Sequence, residues 1–116
     1  MLQQGSVIRA LVPDPQGQNP KWRPLVVLTP TAEIENADTI VAVAITGAYS
    51  DPLASDEVPL PYHPQGKARS GLRKPRVAKC SWLVAIPKTN ILDVRGFLSH
   101  ERLSVLLLKV SELTGP

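Results

Sequence analysis

Short apolar runs separated by polar, proline-rich stretches mark most of this chain as a series of strands. Residues 5–12 read as the first, ended by the turn formers Pro13-Asp14-Pro15-Gln16-Gly17-Gln18-Asn19-Pro20. Residues 25–29 form a second strand, apolar almost throughout and closed by Pro30. Residues 38–46 form a third, whose unbroken apolar run 40–45 predicts burial on both faces. Residues 49–71 are Pro-rich and irregular, with a short strand at Glu57–Leu60. Residues 77–86 form the longest strand. Period-two alternation puts Ala78, Cys80, Trp82 and Val84 on one face and Val77, Lys79, Ser81 and Leu83 on the other. Ile91–Phe97 makes a sixth.

The pattern then changes period. Ser99 is a good N-cap, with Leu98 and Leu103 placed as a hydrophobic staple. Leu103, Leu106, Leu107, Val110 and Leu113 recur at helical spacing, and Gly115-Pro116 ends the run. One amphipathic helix after five or six strands must lay its stripe on the sheet, which predicts a β-rich α+β domain. At 116 residues the chain has room for one hydrophobic core, so residues 1–116 are expected to be a single domain.

Composition narrows the compartment. Hydrophobic residues are 43% and charged residues 20%, which argues against disorder. No stretch approaches the roughly 20 apolar residues that a membrane helix needs. The start, Met1-Leu2-Gln3-Gln4-Gly5, lacks the features of a secretion signal. A single cysteine, Cys80, makes no internal disulfide, and no Cys/His cluster has zinc spacing. These features fit a cytoplasmic protein without metal or other cofactor.

Charge is unevenly placed. Net charge is +3, yet residues 24–66 contain no Lys or Arg. Residues 67–79 then carry Lys67, Arg69, Arg73, Lys74, Arg76 and Lys79 with no acid among them. Such a block either holds a phosphate backbone by Coulomb attraction and counterion release, or serves as a solvated loop. Histidine is a residue type suited to acid–base work, but His63 stands in a Pro-rich loop. His100 at the helix start reads as structural or solvated, and Cys80 as a buried small hydrophobe.

Several segments, in order, resemble the MazF/PemK family of toxin endoribonucleases. They are Gly5-Ser6-Val7-Ile8, the pair Arg23-Pro24 opening Leu25-Val26-Val27-Leu28, and Val41-Ala42-Val43-Ala44-Ile45-Thr46 ending on threonine. Ser70-Gly71-Leu72 before the long strand, and Gly96-Phe97-Leu98 before the helix, complete the series. The resemblance implies a compact, SH3-like curved antiparallel barrel with a C-terminal helix, paired as a homodimer. It further implies metal-free cleavage of single-stranded RNA and restraint by a partner antitoxin.

Metal-free cleavage uses the RNA 2′-hydroxyl as nucleophile, with a base, a cation for the phosphorane and an acid for the leaving oxygen. By position Arg23 and Thr46 match the family's catalytic arginine and threonine. A guanidinium grips two phosphoryl oxygens and stays charged, and a threonine hydroxyl donates to the same phosphate. The segment from Pro13 to Trp22 is expected to be a mobile loop beside Arg23, at a loop–strand junction. Trp22 and Tyr49, neighbours of Arg23 and Thr46 in sequence, are candidates to stack on bases or to pack against loops. Some family members place an arginine and a carboxylate two residues apart on the long strand, where this chain has Lys79 and Ser81. The missing carboxylate leaves two readings: an active endoribonuclease, or a MazF-like domain that binds nucleic acid or a protein without cutting.

Overall fold

Backbone groups of six strands satisfy one another in one antiparallel sheet, ordered β4-β5-β3-β2-β1-β6. The strands are β1 (Ser6–Val12), β2 (Lys21–Val27), β3 (Thr39–Thr46), β4 (Glu57–Leu60), β5 (Arg76–Pro87) and β6 (Ile91–Phe97). Two helices join them, α1 (Thr31–Ile34) and α2 (His100–Thr114). The computed structural model describes residues 2–114, so the Gly115-Pro116 stop lies outside the described residues. The sheet curls without closing, with β4 and β6 at its edges. The loop before β5 bridges to the β6 edge, where Phe97 N–H donates to the Arg69 carbonyl at 2.8 Å.

Both faces of the sheet are buried, as the apolar run in β3 predicts. Val43 and Ile45 join Val7, Val26, Ala78, Cys80 and Leu106 in one cluster. Ile40, Ala42 and Ala44 join Ile8, Leu25, Val27, Ile34 and Ile86 in the other. Val41 is the exception, facing solvent. Helix α2 covers the first cluster. Ser99 Oγ accepts the Arg102 N–H at 3.3 Å, capping it as expected. Of its stripe only Leu106 is fully buried, with Leu103 and Val110 partly so; Leu113 is exposed. Burying a leucine contributes about 1.5–3 kcal/mol, so Leu106 anchors the helix.

Three elements differ from the sequence reading. Strand β2 begins at Lys21, not Leu25, because Lys21, Trp22 and Arg23 pair with Val12, Leu11 and Ala10 of β1. Helix α1 has no sequence signal of its own. It exists because Ile34 reaches the core and the Lys88 ammonium donates to the carbonyls of Ile34 (2.8 Å) and Glu35 (3.1 Å). Finally, β5 does not keep one face along its length. Val43 pairs with Leu83 and Ile45 with Ala78, so two steps of β3 face five of β5. This irregularity inverts the alternation: Ala78 and Cys80 lie in the first cluster, Trp82 and Val84 against the second.

Candidate functional site

Arg23 is the third residue of β2 rather than a junction residue. Alternation from Leu25 turns it to the face of the second cluster, where its guanidinium lies 5.2 Å from the centroid of the Trp82 ring. Its Nε donates to the Val12 carbonyl and one terminal nitrogen to the Asn19 carbonyl, both at 3.3 Å. The loop beside it is tied rather than loose. Asp14 accepts the N–H of Gln16 (3.1 Å) and Gln18 (2.8 Å) and the Asn19 side chain (3.1 Å). The Gln18 N–H bond, first among several, holds the Asp14 carboxyl below its usual range.

Thr46 ends β3 on the same face as Ala44, which is the face of Leu25 across the ladder. Leu25 pairs with Ala44, and continuing that register two residues sets Arg23 opposite Thr46. The paired ladder stops before them, where Pro24 has no N–H to give. The Thr46 hydroxyl accepts the Ala48 N–H at 3.1 Å, which leaves its proton for another acceptor.

Val77 pairs with Thr46. Lys79 follows two residues on, a step of roughly 6.6 Å along the same face. It is not an open cation. Its ammonium lies 3.1 Å from Asp56 Oδ2 and 3.6 Å from Glu57 Oε2, and these two carboxylates raise its pKa. Ser81 Oγ donates to Asp56 Oδ2 at 2.5 Å, the main reason the Asp56 carboxyl titrates low. Buried Glu57 accepts the N–H groups of Ala54 (2.8 Å) and Ser50 (3.2 Å), which fixes the loop carrying Asp56. A carboxylate therefore stands beside Ser81 after all, supplied by the residue preceding β4. No local pattern marks Asp56 in the sequence. The β4–β5 pairing of Glu57 with Lys79 brings it there.

The basic segment does not act as one rim. Lys67, Arg69 and Lys74 are exposed and in no ion pair among the described residues. Arg73 and Arg76 line a cleft with Trp22 on the opposite face of β2 from Arg23. Tyr49 lines a separate cleft with Tyr62 and Arg76. So Trp22 and Tyr49 are not companions, and Arg76 alone among the basic residues borders both clefts. His63 Nδ1 accepts the Gln65 N–H at 3.1 Å, a local turn bond away from the Arg23 face. Cys80 is fully buried, and burial pushes its thiol up to about 11. His100 is exposed at the start of α2. Among the described residues, no helix is long and apolar enough to cross a membrane.

No curated protein is significantly similar to the chain in sequence. Solved structures are similar in fold. The Mycobacterium tuberculosis toxin MazF-mt6 superposes with a TM-score of 0.71 at 22% identity, covering 91% of this chain and 93% of its own. MazF from Deinococcus radiodurans gives 0.73 at 20% identity, covering 98% and 96%. An endoribonuclease from a mycobacterial species, solved with its cognate antitoxin, gives 0.76 at 14% identity, covering 100% and 98%. The sequence profile of PemK-like, MazF-like toxins of type II toxin–antitoxin systems matches residues 3–114. With nearly its whole length matched and a sheet and helix arranged as in those toxins, the chain belongs to the PemK-like, MazF-like toxin family.

Proposed function

We propose that the chain is the toxin of a type II pair and cuts single-stranded RNA without metal, as one domain acting in the cytoplasm. The observation that supports this reading is that Arg23 and Thr46 lie two residues beyond the paired Leu25 and Ala44 on β2 and β3, where alternation turns both to one face of the sheet. There the guanidinium holds the phosphoryl oxygens of the scissile phosphodiester and stabilises the phosphorane, while Thr46 donates its hydroxyl proton. The 2′-hydroxyl passes its proton to Ser81 Oγ as the Ser81 proton moves to Asp56 Oδ2. The 2′-oxygen then bonds to phosphorus, and the 5′-oxygen leaves and takes a proton from water, which regains one from Asp56 and so restores the carboxylate. Asp56 thus fills the role that a carboxylate at position 81 would otherwise have. Lys79 stays protonated and keeps Asp56 ionised.

The mycobacterial relative solved with its antitoxin supports a protein antitoxin as this chain's partner. A homodimer fits the exposed outer face of α2, where Leu108 is 63% exposed. Light scattering is expected to give about twice 12.6 kDa. The competing reading, binding without cutting, draws on the two carboxylates that neutralise Lys79. Incubation with long single-stranded RNA in EDTA separates the two. Cleavage leaving 2′,3′-cyclic phosphate and 5′-hydroxyl ends supports the nuclease; intact RNA transfers the role to the binding module.

A further inference from the structure

We infer that a second, arginine-lined cleft on the far face of β2 seats a nucleotide of the same RNA, its base on Trp22 and its phosphate among Arg9, Arg73, Arg76 and Arg95. The inference rests on the nuclease reading and extends it to where the strand lies. The cleft is about 400 Å³, a size that suits one nucleotide, and it gathers residues from β1, β2, β6, the loop before β5 and the first residue of β5. Trp22, near the start of β2 where that strand pairs with β1, is 53% exposed there. Arg9 and Arg95 share one carboxylate, Asp93, at 3.0 and 3.5 Å, which sets their positions and leaves the four arginines with excess positive charge.

The cleft is built, not incidental. Gly71 (φ +74°) forms part of its wall because the loop presses against β6: a Cβ at Gly71 would meet the Arg95 carbonyl at 2.5 Å, and one at Gly96 the Arg69 carbonyl at 2.0 Å. Only glycines permit this approach, and it brings Arg73 and Arg76 to face Arg9 and Arg95. An exposed indole in a cleft lined by four arginines matches the alternation of base and phosphate along a single strand. An acidic peptide would use the charge but has no call on the ring. Arg76 links this cleft to the one lined by Tyr49 and Tyr62, and its guanidinium approaches Gly47, the residue after Thr46. The RNA therefore runs from the Thr46 end past Arg76 to Trp22.

The test uses a short all-2′-deoxy oligonucleotide of mixed sequence, which binds but cannot be cut, alongside cleavage of RNA. Wild type should bind it with quenching of tryptophan fluorescence. Trp22→Ala should remove most of the quench and weaken binding about tenfold, with Trp22→Phe restoring affinity. Arg95→Ala should weaken binding about tenfold near 0.1 M salt and lower the salt slope by about one, while Arg102→Ala on α2 leaves both unchanged. If Trp22→Ala and Arg95→Ala bind like wild type while wild type cuts RNA, this inference falls and the nuclease reading stands. If the pattern appears but RNA stays intact, the cleft stands and the nuclease reading falls. If instead a glutamate-rich peptide depends on Trp22 and Arg95 and the oligonucleotide does not, the cleft is a protein groove and the inference is overturned.

Discussion

Ser81 Oγ donates to Asp56 Oδ2 at 2.5 Å, so a hydroxyl on β5 and a carboxylate from the loop before β4 act as one polar unit. If that unit accepts the 2′-hydroxyl proton, Asp56→Asn should lower the cleavage rate at least tenfold while leaving oligonucleotide affinity within about twofold. Ser81→Ala should have a similar effect. Single-turnover cleavage with saturating enzyme reads both; an Asp56→Asn enzyme as fast as wild type removes Asp56 from the chemistry.

Arg23 packs over Trp82 and bonds to main-chain carbonyls, and among the described residues no ion pair holds it back from a phosphate. Arg23→Ala should reduce cleavage by a factor of about a hundred or more, the scale of a lost charged transition-state contact. The melting temperature should shift by only a few degrees. A variant that cuts at the wild-type rate would place the chemistry elsewhere.

Acid should destabilise the fold late. Asp14, Asp56, Glu57 and Asp93 are all held below their usual values, chiefly by the Gln18 N–H, the Ser81 hydroxyl, the Ala54 N–H and Arg9 respectively. The folded state therefore binds fewer protons than the unfolded chain as these groups titrate. Their stabilisation is complete above the ordinary values of 3.8 and 4.5 and is lost as pH falls through the lower folded ones. Thermal melts should be level from pH 7 to about 5 and drop steeply below about 4. A fall centred near pH 6 would contradict this assignment.

Gly96 is where the basic loop meets β6, with no room for a side chain. Gly96→Ala should cost about 1–3 kcal/mol through forced backbone displacement, visible as a lower urea midpoint. Oligonucleotide affinity should fall with it, because Arg73 and Arg76 would move from Arg95. Unchanged stability would mean that the loop is free to lift from β6.

Cys80 lies in the core with its thiol pushed up to about 11, so it should be inert to a thiol reagent at pH 8 in the native protein and react only on unfolding. Rapid native labelling would show that β5 opens around it.

The sequence alone determined the elements whose signal is local. The six strands and the capped helix follow from period and turn chemistry, because side-chain alternation and capping act within a few residues. Position within the Arg-Pro and strand-end motifs marked Arg23 and Thr46, and a gap of unlike charge marked the basic segment. Tertiary structure decided what those residues meet. Lys21, Trp22 and Arg23 became strand because β1 offered them partners, against a propensity that stops at the prolines. The irregularity in β5 reversed the faces of Cys80 and Trp82, which no alternation count can foresee. The pairing of β4 with β5 set Ser81 beside Asp56, 25 residues earlier, and so placed a carboxylate next to position 81. Arg73 came to share the Trp22 cleft with Arg9 and Arg95 because two glycines let the loop touch β6. Local pattern carries secondary structure, but long-range pairing sets which charges share a cavity, since side chains distant in sequence meet only after the sheet has formed.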